Sequence, residues 1–119
     1  MKLIEWVGSS KDDLKAFPRD VTHEIGRALT VAQAGGKHVK AKPLKGHRGA
    51  SVLEIVENHD GDTYRAVYTV RLAGVVYVLH AFQKKAKRKI ATPQKELDLI
   101  AQRLKVAEEH YKRHHAAKR

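Results

Sequence analysis

Polar and apolar residues change their period several times between the first residue and the last. In KLIEWV, residues 2–7, they alternate, which predicts a short strand. Ser9 or Ser10 then offers a cap for a helix whose first turn carries Asp12 and Asp13, favourable at the positive end of a helix dipole. Pro18 breaks that run. Beyond it Val21, Ile25, Ala28, Leu29 and Ala32 recur at helical spacing until Gly35-Gly36 stops the helix. Residues 37–51 lose any period and read as a loop punctuated by Pro43, Gly46 and Gly49. The period then drops to two. SVLEIVE, TYRAVYTVR and VVYVLHAF are rich in β-branched and aromatic residues, with turn signals NHDGD and AG between them, and predict three consecutive antiparallel strands. Thr92-Pro93 supplies an N-cap and a first helical residue, after which Leu97, Ile100, Ala101, Leu104 and Tyr111 mark one face of a long final helix.

The order strand, helix, helix, three-stranded meander, helix predicts an α+β fold with the helices packed on one face of a small twisted sheet. A chain of 119 residues fits a single domain over 1–119, with a frayed basic tail from about 113. Its 42% hydrophobic and 31% charged residues are ordinary for a globular protein. The net charge of +11 is not, and it points to a polyanionic partner. The charge is also uneven. Residues 1–83 hold 12 Lys+Arg against 9 Asp+Glu, net +3, whereas residues 84–119 hold 12 against 4, net +8. KKAKRK packs five cations into the six positions Lys84 to Lys89, and the acid-free run from Lys37 to Arg48 adds five more. Like charges at that density repel unless a polyanion meets them, so Lys42, Lys45, Arg71, Lys87, Arg88 and Lys89 are assigned to nucleic-acid binding, which the resemblance given below narrows to RNA.

The absence of cysteine excludes a disulfide framework and a thiolate metal site. The opening MKLIEWVGSSKDDL carries no secretory pattern, and no stretch approaches the roughly 20 apolar residues of a membrane span, which predicts a cytoplasmic protein. His23 lacks the second histidine of a zinc-protease helix, and no glycine-rich phosphate loop follows a strand. Asp60, Gly61 and Asp62 read as a hairpin turn rather than a calcium loop. His110 and His114 lie one helical turn apart, yet the sequence offers them no further ligand, so no metal is assigned.

If Ala73-Gly74 is a two-residue turn, Val67 opposes His80 and Arg65 opposes Phe82. Alternation then places Arg65, Val67, Thr69 and Arg71 on one face with Val76, Val78, His80, Phe82 and Lys84. The opposite face carries Tyr64, Ala66, Tyr68 and Val70 with Tyr77, Leu79 and Ala81. A guanidinium, an imidazole and an ammonium thus share a face without being neighbours in sequence. Such a set suits a phosphodiester: Arg grips two oxygens, His moves a proton, and Lys meets developing negative charge. The bland alternative is an ion-paired Arg and a packed, hydrogen-bonded His.

These elements, with LEIVE, DTYRAVYTVR, VVYVLHAFQKKAK and ATPQKELDLIAQRL, resemble the RelE/HigB group of type II toxin–antitoxin toxins, and within it the phage-derived branch. The resemblance spans nearly the whole chain and is most specific from Tyr64 to Pro93. It implies a metal-independent, cofactor-free mRNA endoribonuclease acting at the ribosome, held in check by a cognate antitoxin, often of helix-turn-helix type. By the same resemblance Arg65, following Tyr64, matches the strand Arg of the RelE pattern, and Lys84-Lys85 matches its basic pair, so Arg65, His80, Lys84 and Lys85 are the catalytic candidates. Two departures stand out. The second-strand lysines of RelE fall at Glu54 and Val56, so their work passes to Lys42, Lys45 or His80, and the late RelE Tyr has no match in KRKIATP. A ParE-like gyrase inhibitor on the same fold and a non-catalytic nucleic-acid-binding module are the competing functions.

Overall fold

The computed structural model describes residues 1–47, 51–84 and 92–115. Strand β1 (Leu3–Trp6) leads into helices α1 (Ser10–Lys15) and α2 (Arg19–Gln33), then strands β2 (Lys42–Pro43), β3 (Val52–His59), β4 (Asp62–Thr69) and β5 (Val75–Lys84), and finally helix α3 (Gln94–His114). The strands form one sheet in the order β1-β5-β4-β3-β2, with β1 parallel to β5 and the other pairs antiparallel. The meander therefore forms where the period of two predicts it. Asp60 and Gly61 both take positive φ between His59 and Asp62, which pair, so the turn is the Asp-Gly hairpin read from the sequence.

Four expectations change. The segment 37–51 is not all loop, because Lys42 and Pro43 add an edge strand on β3; Pro is tolerated at an edge, where its missing N–H is not needed. Thr92 does not cap α3: Pro93 takes that position with no side-chain cap, and the Thr92 hydroxyl turns to the sheet instead. Helix α3 runs on to His114, past the start of the expected frayed tail.

The largest correction concerns the faces. Helix α2 packs Val21, Ile25, Ala28, Leu29 and Ala32 against Ile55, Ala66, Tyr68 and Val78. Helix α3 packs Ile100, Leu104 and Ala107 against Val52, Val67, Tyr77 and Leu79, which belong to the other side. Helices thus cover both faces rather than one. A bulge also changes which β5 side chains lie on each face: the β4–β5 register holds from Thr63↔Lys84 to Val67↔His80, then slips, so Tyr68 faces Val78 and Leu79 is the extra residue. A slip of one residue exchanges faces. On the turn side of the bulge Val76 and Val78 join the α2 core while Tyr77 joins the α3 core, the reverse of the simple count. Beyond the bulge the slip offsets the one-residue displacement of the turn side, so Val67↔His80 and Arg65↔Phe82 pair as counted. Among the described residues, no helix is long and apolar enough to cross a membrane.

Candidate functional site

Arg65 and His80 are diagonal neighbours on the α3 face, as counted, but that face is not open. Arg65 is 4% exposed and His80 6%. Two strand positions from Arg65, on the same face, the Glu54 carboxylate accepts from Arg65 Nη1 at 3.4 and 3.5 Å. The same nitrogen donates to Thr92 Oγ1 at 3.3 Å, and that hydroxyl lies 3.5 Å from Glu54 Oε2. These contacts are long for charge-assisted hydrogen bonds, which close to about 2.8 Å when optimal. Glu54 thus sets a carboxylate beside the strand Arg.

His80 stacks on Phe82, ring centroids 4.8 Å apart, and is held from both ring nitrogens. Nε2 meets Glu96 Oε1 at 2.9 Å and Nδ1 meets Arg103 Nη1 at 3.3 Å. Arginine only donates, so Nδ1 accepts and the Nε2–H donates to Glu96. Arg103 also donates to Leu79 O at 3.0 Å and to Ser9 Oγ at 3.2 Å, and Ser9 donates to Asp13 at 2.7 Å. One guanidinium therefore ties the bulge carbonyl, the imidazole and the start of α1 together. Its close seat requires glycine beneath it: a Cβ on Gly8, whose φ is +56°, would stand 2.9 Å from Arg103 Nη2. Gly8→Ala should cost about 2 kcal/mol in urea unfolding, combining left-handed backbone strain with loosened Arg103 hydrogen bonds. Gly35→Ala, with φ +91° and open space around it, should show the strain alone.

The cations divide into groups. Lys84, half-buried, pairs with Thr63 at the end of the hairpin nearest Arg65. Lys42 on β2 lies directly opposite Glu54, and Lys45 is brought to the start of α3 because the adjoining Gly46 rests on Leu97, 2.7 Å from where a Cβ would stand. Arg71 is elsewhere. It pairs with Glu108 at 3.0 Å, about 25 Å of strand rise from Thr63, so the structure does not bring it to Lys84. Lys85, Lys87, Arg88 and Lys89 lie outside the described residues. A cavity of about 600 Å³ lined by Met1, Lys2, Gln33 and Gly74 lies at the turn end of β5 and contains none of the candidates.

Sequence reasoning missed Arg103, Glu96 and Glu54 as partners of the candidates. Glu96, Ile100, Arg103 and Ala107 follow one helical stripe, so a charged pair on the apolar face of α3 was the available signal.

A family model described as "Phage derived protein Gp49-like (DUF891)" matches residues 12–105. The isolated RelE toxin of E. coli, in a crystal structure, is similar at a TM-score of 0.54 and 16% identity, covering 86% of this chain and 98% of that one. A second similar structure, the toxin–antitoxin complex RelBE2 from Mycobacterium tuberculosis, gives a TM-score of 0.46 at 15% identity, over 71% of this chain and 92% of that one. No curated protein sequence matches. At 16% identity the likeness to the E. coli toxin shows the fold alone, which is that of RelE.

Proposed function

Since the chain belongs to the phage-derived Gp49-like family, we propose that it is the toxin of a type II toxin–antitoxin pair, a cytoplasmic endoribonuclease that cuts messenger RNA on the ribosome and halts translation. What supports this reading is the family match together with a register that sets Arg65, His80 and Lys84 on one face of the sheet, the first two beside carboxylates. RNA brings its own nucleophile. The 2′-hydroxyl oxygen bonds to the adjacent phosphorus, the 5′-oxygen leaves, and a cyclic phosphate results. The protein must align the groups, take one proton, return another and stabilise the phosphorane.

Arg65 is suited to the phosphorane by its fork of donors, and a phosphate reaches it by displacing the Glu54 and Thr92 contacts that bury it. The His80–Glu96 couple is the proton-moving unit, its imidazole tautomer set by Arg103. Lys84 and Lys85 meet charge at the scissile phosphate, while Lys42, Lys45, Lys87, Arg88 and Lys89 hold RNA backbone on either side. Arg71, at the far end, would act only as a distant backbone contact. A basic toxin calls for an antitoxin with acidic and apolar side chains.

Induction without antitoxin should stop growth with loss of protein synthesis, and primer extension should find in-frame cuts inside translated regions. If pulse labelling shows DNA synthesis failing first while translation continues, the nuclease reading is wrong and a ParE-like gyrase inhibitor takes its place.

A further inference from the structure

At the opposite end of the sheet, Glu5, His110 and His115 bring their donor atoms within 4.8 Å of one another. We infer that these three side chains form a binding site for one divalent transition-metal ion, Zn²⁺ by its ligand chemistry, which clamps the end of α3 to edge strand β1. The sequence could not supply this set. His110 and His114 were the apparent pair, but the C-terminal cap turns His115 inward to Glu5, with Nε2 3.1 Å from Oε2. His114 remains exposed. Glu5 is placed by the parallel register that sets it beside Tyr77, and Tyr77 in turn contacts His110.

Two imidazoles and one carboxylate make a donor set that suits zinc, whereas calcium and magnesium prefer oxygen alone. Donor atoms around a tetrahedral zinc stand about 3.3 Å apart, so small rotations of half-buried side chains close the site. The support behind the ligands is also in place. Tyr77 Oη lies 2.8 Å from His110 Nδ1, which orients the ring and leaves Nε2 for the ion, the arrangement common behind metal-bound histidines. The fourth position falls to water or to His114, whose ring centroid is 4.4 Å from that of His110.

The site lies at the Gly74 end of β5, away from Lys84, so it concerns the anchoring of α3 rather than RNA chemistry. The untagged full chain, freed of metal with EDTA, should bind Zn²⁺ at one ion per chain in calorimetry. Its Tm should rise by about 5 °C or more at a hundredfold excess over Kd. Glu5→Gln and His115→Gln should each weaken Zn²⁺ at least tenfold and abolish that rise, while His23→Gln, exposed on α2, should change neither. Absence of stoichiometric binding overturns the inference. So does Zn²⁺ affinity that is equal in wild type, Glu5→Gln and His115→Gln, since that would be adventitious binding by surface histidines.

Discussion

Arg65→Ala should lower the unfolding free energy by about 3 kcal/mol, because it strands the largely buried Glu54 carboxylate without its cation. The cost of breaking such a pair comes mostly from the charge left behind, not from the attraction lost. Adding Glu54→Gln to Arg65→Ala should therefore recover at least about 1 kcal/mol, the coupling expected of residues in contact. Cleavage should behave otherwise. If Arg65 stabilises the phosphorane, the folded fraction of Arg65→Ala should cut RNA more slowly by about 3 kcal/mol, on the order of a hundredfold, and the second substitution should not restore it. Arg65→Lys keeps a charge beside Glu54 but lacks the fork, so it should hold much of the stability and little of the rate. Urea unfolding and single-turnover cleavage on the same samples separate the two roles. Full per-molecule cleavage by the double variant would make Arg65 purely structural.

Alkaline pH should remove about 4.5 kcal/mol of stability by pH 12, from two tyrosines alone. Tyr68 is fully buried and Tyr77 1% exposed. Burial pushes both phenols from 10.0 to about 12, with Glu5 and Tyr111 adding to the shift at Tyr77. An unfolded chain ionises these phenols from pH 10 upward, while the folded protein keeps its protons until about 12. The unfolded state thus binds fewer protons across that window, and stability falls as pH rises through it. Below pH 10 both states are neutral and the two groups contribute no pH dependence. Tyr68→Phe should halve the loss between pH 10 and 12. It should cost little at pH 8, since the Tyr68 hydroxyl has no hydrogen-bond partner among the described residues. Thermal melts across this range check both, and an unchanged slope in Tyr68→Phe would contradict the assignment.

Much of the fold was legible in the order of residues. Periodicity of 3.6 and of two sets elements locally: Ile25 and Leu29 mark α2, the β-branched runs mark the meander, and Asp60-Gly61 dictates its own turn. The count from the Ala73-Gly74 turn also paired Val67 with His80 and Arg65 with Phe82, but only because the extra residue at Leu79 cancels the one-residue displacement already present at Thr69↔Tyr77 and Tyr68↔Val78. What it could not carry was the slip at Leu79. A bulge is set by packing on both sides, here by the Arg103 guanidinium on the Leu79 carbonyl and by the separate demands of two cores. The same holds for α3, whose apolar stripe says that it packs but not on which face. Contacts between residues distant in sequence were decided in three dimensions only: Arg65 with Glu54 and Thr92, His80 with Glu96 and Arg103, and Glu5 with His115. Alternation and spacing report which side chains leave the backbone in one direction. Whether such a side chain then meets water, RNA or a carboxylate depends on what the rest of the chain lays over it: for Arg65 that is Glu54 and Thr92, and for His80 it is Glu96 and Arg103 on α3.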